Sequence, residues 1–193
     1  MTALYAALAV VGVLLIAIAL SFNRFVQERN LIRDSWANID TELRRRYDLI
    51  PNLVATVKGY AAHEREVFEK VTETRTAAMA ATGPADEQAR AETPLVGALR
   101  GLLAVAENYP TLKASENFLA LQKELATTED RLQAARRFYN GNVRDYNRRV
   151  QSVPSNIIAN LFNFHAEKFF EVEEAVRAAP EVEMDAGSAQ GQP

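Results

Sequence analysis

From Met1 to Asn23 no side chain is charged, and Leu4 to Phe22 is almost wholly apolar. A helix needs about 20 such residues to cross a bilayer. Leu4, Leu8, Val11, Leu14, Leu15, Ile16, Ile18, Leu20 and Phe22 therefore read as a membrane anchor. A secretory signal peptide is the competing reading, but it carries basic residues ahead of its apolar run. None stands there, although Ala17-Ile18-Ala19 mimics a cleavage site. The run also passes directly into a helical pattern, which favours an uncleaved anchor.

Beyond the span, Phe25, Leu31, Trp36, Ile39 and Leu43 recur every three to four residues or so, and no Gly or Pro interrupts residues 13–50. This is helical periodicity, so the anchor is expected to continue as one rod. Arg24–Arg46 would reach about 35 Å beyond the membrane. Proline at 51 disfavours helix at Ile50, and Asp48 is placed to cap a new first turn. A reversal near residues 46–50 is the expectation, with a kinked continuous helix as the alternative. A second helix over about 49–81 carries a coiled-coil-like seam through Ile50, Leu53, Val57, Tyr60, Glu64, Val67, Val71, Thr74 and Ala78.

Residues 82–93 read as a polar linker, and Thr93-Pro94 as the start of a third helix with a stripe of Leu95, Leu99, Leu102, Leu103 and Ala106. A fourth helix runs from Ser115 towards Val150, stopped by Pro154, and residues 156–170 suggest one or two further helical pieces. The expected fold is all-α: an N-terminal transmembrane helix continuing into an antiparallel four-helix bundle, with a short C-terminal helical appendage. Its parts are an anchor at 1–23, a helical body at 24–176 and a disordered acidic tail at 177–193.

Composition adds exclusions. The 193 residues are 48% hydrophobic and 24% charged, as in an ordinary globular helical protein. With no cysteine, disulfides and thiolate chemistry are ruled out. A net charge of −3 argues against a nucleic-acid binder. Arg24, Arg29 and Arg33 follow the span and no basic side chain precedes it. The positive-inside rule then places the N-terminus outside and the body in the cytoplasm.

Catalytic patterns fall short. His63-Glu64 begins like a zinc-protease helix motif, but Val67 stands where the second histidine belongs. A di-metal bundle site needs two Glu-x-x-His pairs, and Tyr60 and Phe162 precede His63 and His165 instead. No Ser-His-Asp set can be argued, and the glycines form no phosphate-cradling loop. Gly97 and Gly101 read as permitting close helix approach. Neither an enzymatic activity, a cofactor, a metal nor a small-molecule substrate is expected.

Three blocks, RRRYDLIPNLVATVKGYAAHERE, ENYPTLKASENFLALQKELATTEDRLQAARRFYN and VRDYN…VPSN, together resemble the LemA family over roughly residues 24 to 176. The resemblance implies an N-terminally anchored bacterial membrane protein with an antiparallel helical body. It implies no catalytic residues, since the family has no agreed activity. Val153 stands where members tend to carry phenylalanine.

Two surfaces are singled out. Arg44, Arg45, Arg46, Tyr47, Asp48 and Pro51 are expected at a membrane-distal docking turn. Arg144, Arg148 and Arg149, with Phe162, Phe169 and Phe170, are expected to touch the membrane surface. The alternative is that these phenylalanines cap the core while the arginines are paired or solvated. The functional expectation is a single-pass membrane protein with a non-catalytic body, a scaffold or self-assembling module that contacts the membrane and a protein partner or further copies of itself. An adaptor or regulator of another membrane protein, such as an envelope protease or transporter, is the second reading.

Overall fold

A computed structural model of the chain describes residues 1–172. The tail expected at 177–193 lies outside the described residues. Among the described residues all regular structure is helical. The elements are α1 (Thr2–Lys58), α2 (Arg65–Ala80), α3 (Ala85–Glu107), α4 (Pro110–Lys113), α5 (Glu116–Gln151) and α6 (Ser155–Leu161).

One pairing dominates. Beyond its apolar stretch α1 buries Phe25, Ile32, Ser35, Ile39, Leu43, Arg46, Ile50, Leu53 and Val57, mostly in steps of three and four. On α5 the matching row is Phe118, Leu125, Thr128, Leu132, Tyr139, Val143 and Tyr146. These steps keep one stripe of each helix facing the other, and α1 packs chiefly against α5. Each fully buried Leu or Ile contributes about 1.5–3 kcal/mol. A second pair, α2 against α3, closes over the distal half of α1. The chain therefore forms two unequal helix pairs.

The expected reversal at 46–50 does not occur: α1 continues through Pro51 to Lys58, with Gly59 as its C-cap. A proline inside a helix supplies no N–H for the carbonyl four residues earlier, which here belongs to Tyr47. Arg75 of α2 supplies the missing donor, its Nε lying 2.7 Å from the Tyr47 carbonyl oxygen. A tertiary contact thus offsets the local penalty that predicted a break. The turn between α1 and α2 falls at residues 59–64 instead, where the Ala61 N–H bonds the Val57 carbonyl at 2.9 Å.

The polar linker at 82–93 is also corrected. Helix α3 begins at Ala85, directly after Pro84, with Asp86 and Glu87 in its first turn, where the helix dipole favours carboxylates. Pro94 sits inside it. Among the described residues a Cβ built on Gly97 or Gly101 meets nothing within 4 Å, so these glycines serve no close helix approach there. Only the first half of 156–170 is helical. Helix α6 ends at Leu161; just beyond it Asn163 has φ 56°, and the Phe164 N–H bonds back to the Ala159 carbonyl at 2.8 Å. That left-handed residue with a six-to-one hydrogen bond stops a helix. Residues 164–172 then run without helix alongside α5.

Candidate functional site

The stretch expected to form a docking turn is divided by the helix it lies in. Arg44, Arg45, Asp48 and Pro51 face solvent, while Arg46 and Tyr47 are buried. Arg44 pairs with Asp40 at 2.9 Å and Arg45 with Glu42 at 3.8 Å, both on the same helix. Such exposed pairs contribute little.

The buried half has different chemistry. Glu92 of α3 is fully buried and accepts hydrogen bonds from the Arg46 guanidinium and the Tyr47 hydroxyl. Gln88 donates to the same carboxylate at 3.1 Å and to the Ala78 carbonyl at 3.1 Å. A second arm of Arg46 reaches Glu129 of α5 at 3.1 Å. Three helices thus meet through one guanidinium. Removing charges from water costs several kcal/mol per ion, offset only when geometry and extra hydrogen bonds are good. Here the carboxylate has three donors. Burial, with the Glu92 carboxylate beside it, pushes the Tyr47 phenol far above the usual tyrosine range. It donates a hydrogen bond and stays un-ionised near neutrality.

Glu92 was missed in the sequence because it lay in an apparent linker. Its signal was register: Ala89, Glu92, Leu95, Leu99, Leu102 and Ala106 form one buried row. Arg46 likewise stands between Leu43 and Ile50, and Thr128 between Leu125 and Leu132. A charged residue at a seam position asks for a buried partner.

At the other end, where α1 leaves its apolar stretch, the contacts are aromatic. Phe25 stacks on Phe164 with centroids 4.8 Å apart and meets Tyr146 edge-on at 6.0 Å. Trp36 contacts Tyr139 at 5.4 Å and Phe170 at 5.5 Å. Phe170 is fully buried, so it cannot present itself to a membrane, and Phe169 is half-buried. Phe162 stays 42% exposed. Arg149 is bound to both carboxylate oxygens of Glu28 at 2.9 Å and is half-buried, whereas Arg144 and Arg148 are exposed. The surface expected from six residues is therefore broken up, with Phe170 committed to the interior and Arg149 to Glu28.

The segment after Phe164 is held by two asparagines. The Asn147 side chain donates to the Glu167 carbonyl at 2.9 Å and accepts from the Glu167 N–H at 2.8 Å. Asn140 does the same with Phe170, at 3.1 and 2.9 Å. Their seven-residue spacing rises about 10.5 Å along a helix, and three extended residues span about 10 Å. One helical heptad therefore matches Glu167 to Phe170. The Tyr139 hydroxyl adds a bond to the Lys168 carbonyl at 2.9 Å. Burial, with Glu167 nearby, pushes that phenol up to about 12, and burial also raises Tyr146.

Of the expected anchor, Leu4, Leu8, Val11, Leu14, Leu15, Ile16 and Leu20 are exposed, and Ile18 and Phe22 are half-buried. Among the described residues, no group of three His, Asp or Glu side chains is placed to hold a metal ion. His63 and His165 are both exposed.

What these observations define is an all-helical protein whose one long, apolar N-terminal helix also forms the spine of its body. A sequence model of the LemA family matches residues 35–184. The chain belongs to that family. It is 26% identical to Magnetosome protein MamQ 1 of Paramagnetospirillum magneticum, over 78% of this chain and 64% of the relative. It is 25% identical to Magnetosome protein MamQ of Magnetospirillum gryphiswaldense, over 77% and 64%. It is 24% identical to Protein LemA of Metamycoplasma hominis, over 80% and 71%. The chain spans just under two thirds of the length of the magnetosome relatives.

Proposed function

We propose that this is a single-pass membrane protein whose helical body, an antiparallel arrangement of α1, α2, α3 and α5, works as a non-catalytic scaffold or self-assembling module. The observation that carries the reading is α1 itself. Its 57 residues make one rod of about 86 Å. The first third is apolar and, among the described residues, left uncovered, and the rest forms the seam of the body. Anything that grips the body is thereby held at a fixed height above the bilayer. The named magnetosome relatives support a role at a membrane. By the arginines after the span, the body lies on the cytoplasmic side of the bacterial inner membrane.

Crosslinking in native membranes, followed by mass measurement in lipid nanodiscs, tests the scaffold. A discrete homo-oligomer is expected. A strict monomer would contradict self-assembly. The adaptor reading is favoured by an open cleft of about 330 Å³ between α1 and the α2–α3 loop, lined by Trp36, Arg44, Tyr47, Met79 and Gln88. Native co-purification separates the two: a stoichiometric membrane-protein partner lost on Met79→Glu supports the adaptor, and its absence supports self-assembly. A reporter fused after Pro193 that is active only outside the membrane tests orientation; activity would place the body outside.

A further inference from the structure

We propose that α6 is a foot that rests in the bilayer surface, with Val153, Ile157 and Leu161 set among the lipid headgroups and upper acyl chains. The idea goes beyond the scaffold reading and depends only on the apolar part of α1 lying in a membrane. Ile157 and Leu161 are one turn apart on α6, and Val153 lies in the turn before it. They are 63%, 66% and 79% exposed. The opposite side is fixed to the body: Ala159 is fully buried and Ile158 packs on the core. A short helix with one side packed and an apolar side open is an interfacial element when it lies at the level of the headgroups.

Its level is set by contacts. Phe162 meets Phe22 edge-on with centroids 4.9 Å apart, and Phe22 is the last residue of the apolar run. About 20 residues fill the hydrocarbon thickness, so the stretch ending at Phe22 places α6 where α1 enters the lipid. Arg24 and Arg148, with side chains 60% and 70% exposed and paired with Glu28 at 3.0 Å and Asp145 at 3.8 Å, stand just above. They suit anionic headgroups, each Arg near such a surface favouring attachment.

Lipid is a better occupant than a second copy of the chain. A stable protein interface buries about 800 Å² on each partner, far more than three side chains provide. The apolar face is also continuous with the span, whose occupant is lipid.

The absence of cysteine permits a clean test. Single Ile157→Cys, Leu161→Cys, Leu14→Cys and Leu119→Cys variants of the full chain are labelled with a fluorophore. They are placed in nanodiscs of phosphatidylethanolamine and phosphatidylglycerol. A quencher carried on the lipid tails is compared with one dissolved in water. The expected result is several-fold stronger lipid-borne quenching at 157 and 161 than at 119, with Leu14 quenched as well. Quenching at 14 but water access at 157 and 161 would overturn the foot alone. Shielding of 157 and 161 from both quenchers would mean a protein surface covers them and would also overturn it. Loss of lipid quenching at 14 would remove the span on which the foot depends.

Discussion

The two ends of the α1–α5 pair solve one problem in different ways. Both must fix the register of long helices whose seams repeat every three to four residues and would tolerate a slip. The distal end uses charge: Arg46 links Glu92 of α3 to Glu129 of α5. The end near the apolar span uses shape and amides: Phe25, Phe164, Trp36 and Phe170 interlock, and Asn140 and Asn147 clip the returning chain. A buried ion pair is intolerant of losing one partner, whereas an aromatic cluster with several clips degrades in steps. The distal end is therefore expected to break sharply and the other end gradually.

The largest effect is expected at Glu92. Replacing it by Ala leaves Arg46 buried with only the half-exposed Glu129 as partner, and breaking such a pair costs about 3–5 kcal/mol. Denaturant unfolding of the full chain in mild detergent reads this loss. A double Arg46→Met, Glu92→Leu variant is expected to recover most of it, because apolar side chains of similar volume often replace a buried pair at no cost. A double variant no more stable than the single would contradict the charge account.

High pH sharpens the comparison next. Tyr47, Tyr139 and Tyr146 all have raised pKa values in the folded protein. Below the ordinary tyrosine value of about 10 their phenols are neutral in both states, and the contribution is complete. Above it the unfolded chain releases protons that the folded chain keeps. Stability is thus expected to fall as pH climbs from about 10 through 12, with Tyr47→Phe flattening the decline. Unchanged unfolding midpoints across that range would contradict the burial of these phenols.

The asparagine clips come third. Each makes two hydrogen bonds, worth about 0.5–1.5 kcal/mol apiece, so Asn140→Ala or Asn147→Ala is expected to cost about 1–3 kcal/mol. Hydrogen exchange gives the direct readout, since the Phe170 and Glu167 amides lose their acceptors. Exchange at those amides that does not accelerate would mean the phenylalanines alone hold the segment. Smallest is Gly97→Ala or Gly101→Ala. Among the described residues nothing meets the new Cβ, so helix propensity acts alone, stabilising by about 0.5–1 kcal/mol. A destabilised variant would reveal a close contact on that face, such as another copy of the chain.

Much of this was legible in the sequence. The apolar run, the seams of α1 and α5 and the stop at Pro154 follow from periodicity and proline. What was not legible has a common cause. Pro51 reads as a break because its cost is local, while the compensation comes from Arg75, 24 positions later. Glu92 reads as linker because its partners lie on other helices. Phe170 reads as interfacial because aromatic residues near arginines suit headgroups and cores equally, and the Asn140 that fixes its backbone lies 30 positions away. Local chemistry predicted helices throughout, and misplaced the boundaries and residues whose role is set by a distant partner.

That one helix runs unbroken from the apolar span through Pro51 to Lys58 is tested most directly by a spin-label distance between Asn30→Cys and Ala55→Cys in nanodisc-embedded full chain. Both positions are exposed. Twenty-five helical steps predict a single narrow peak at about 38 Å. A reversal at residues 46–50 would fold Ala55 back beside α1, and a peak near about 20 Å would contradict the continuous spine.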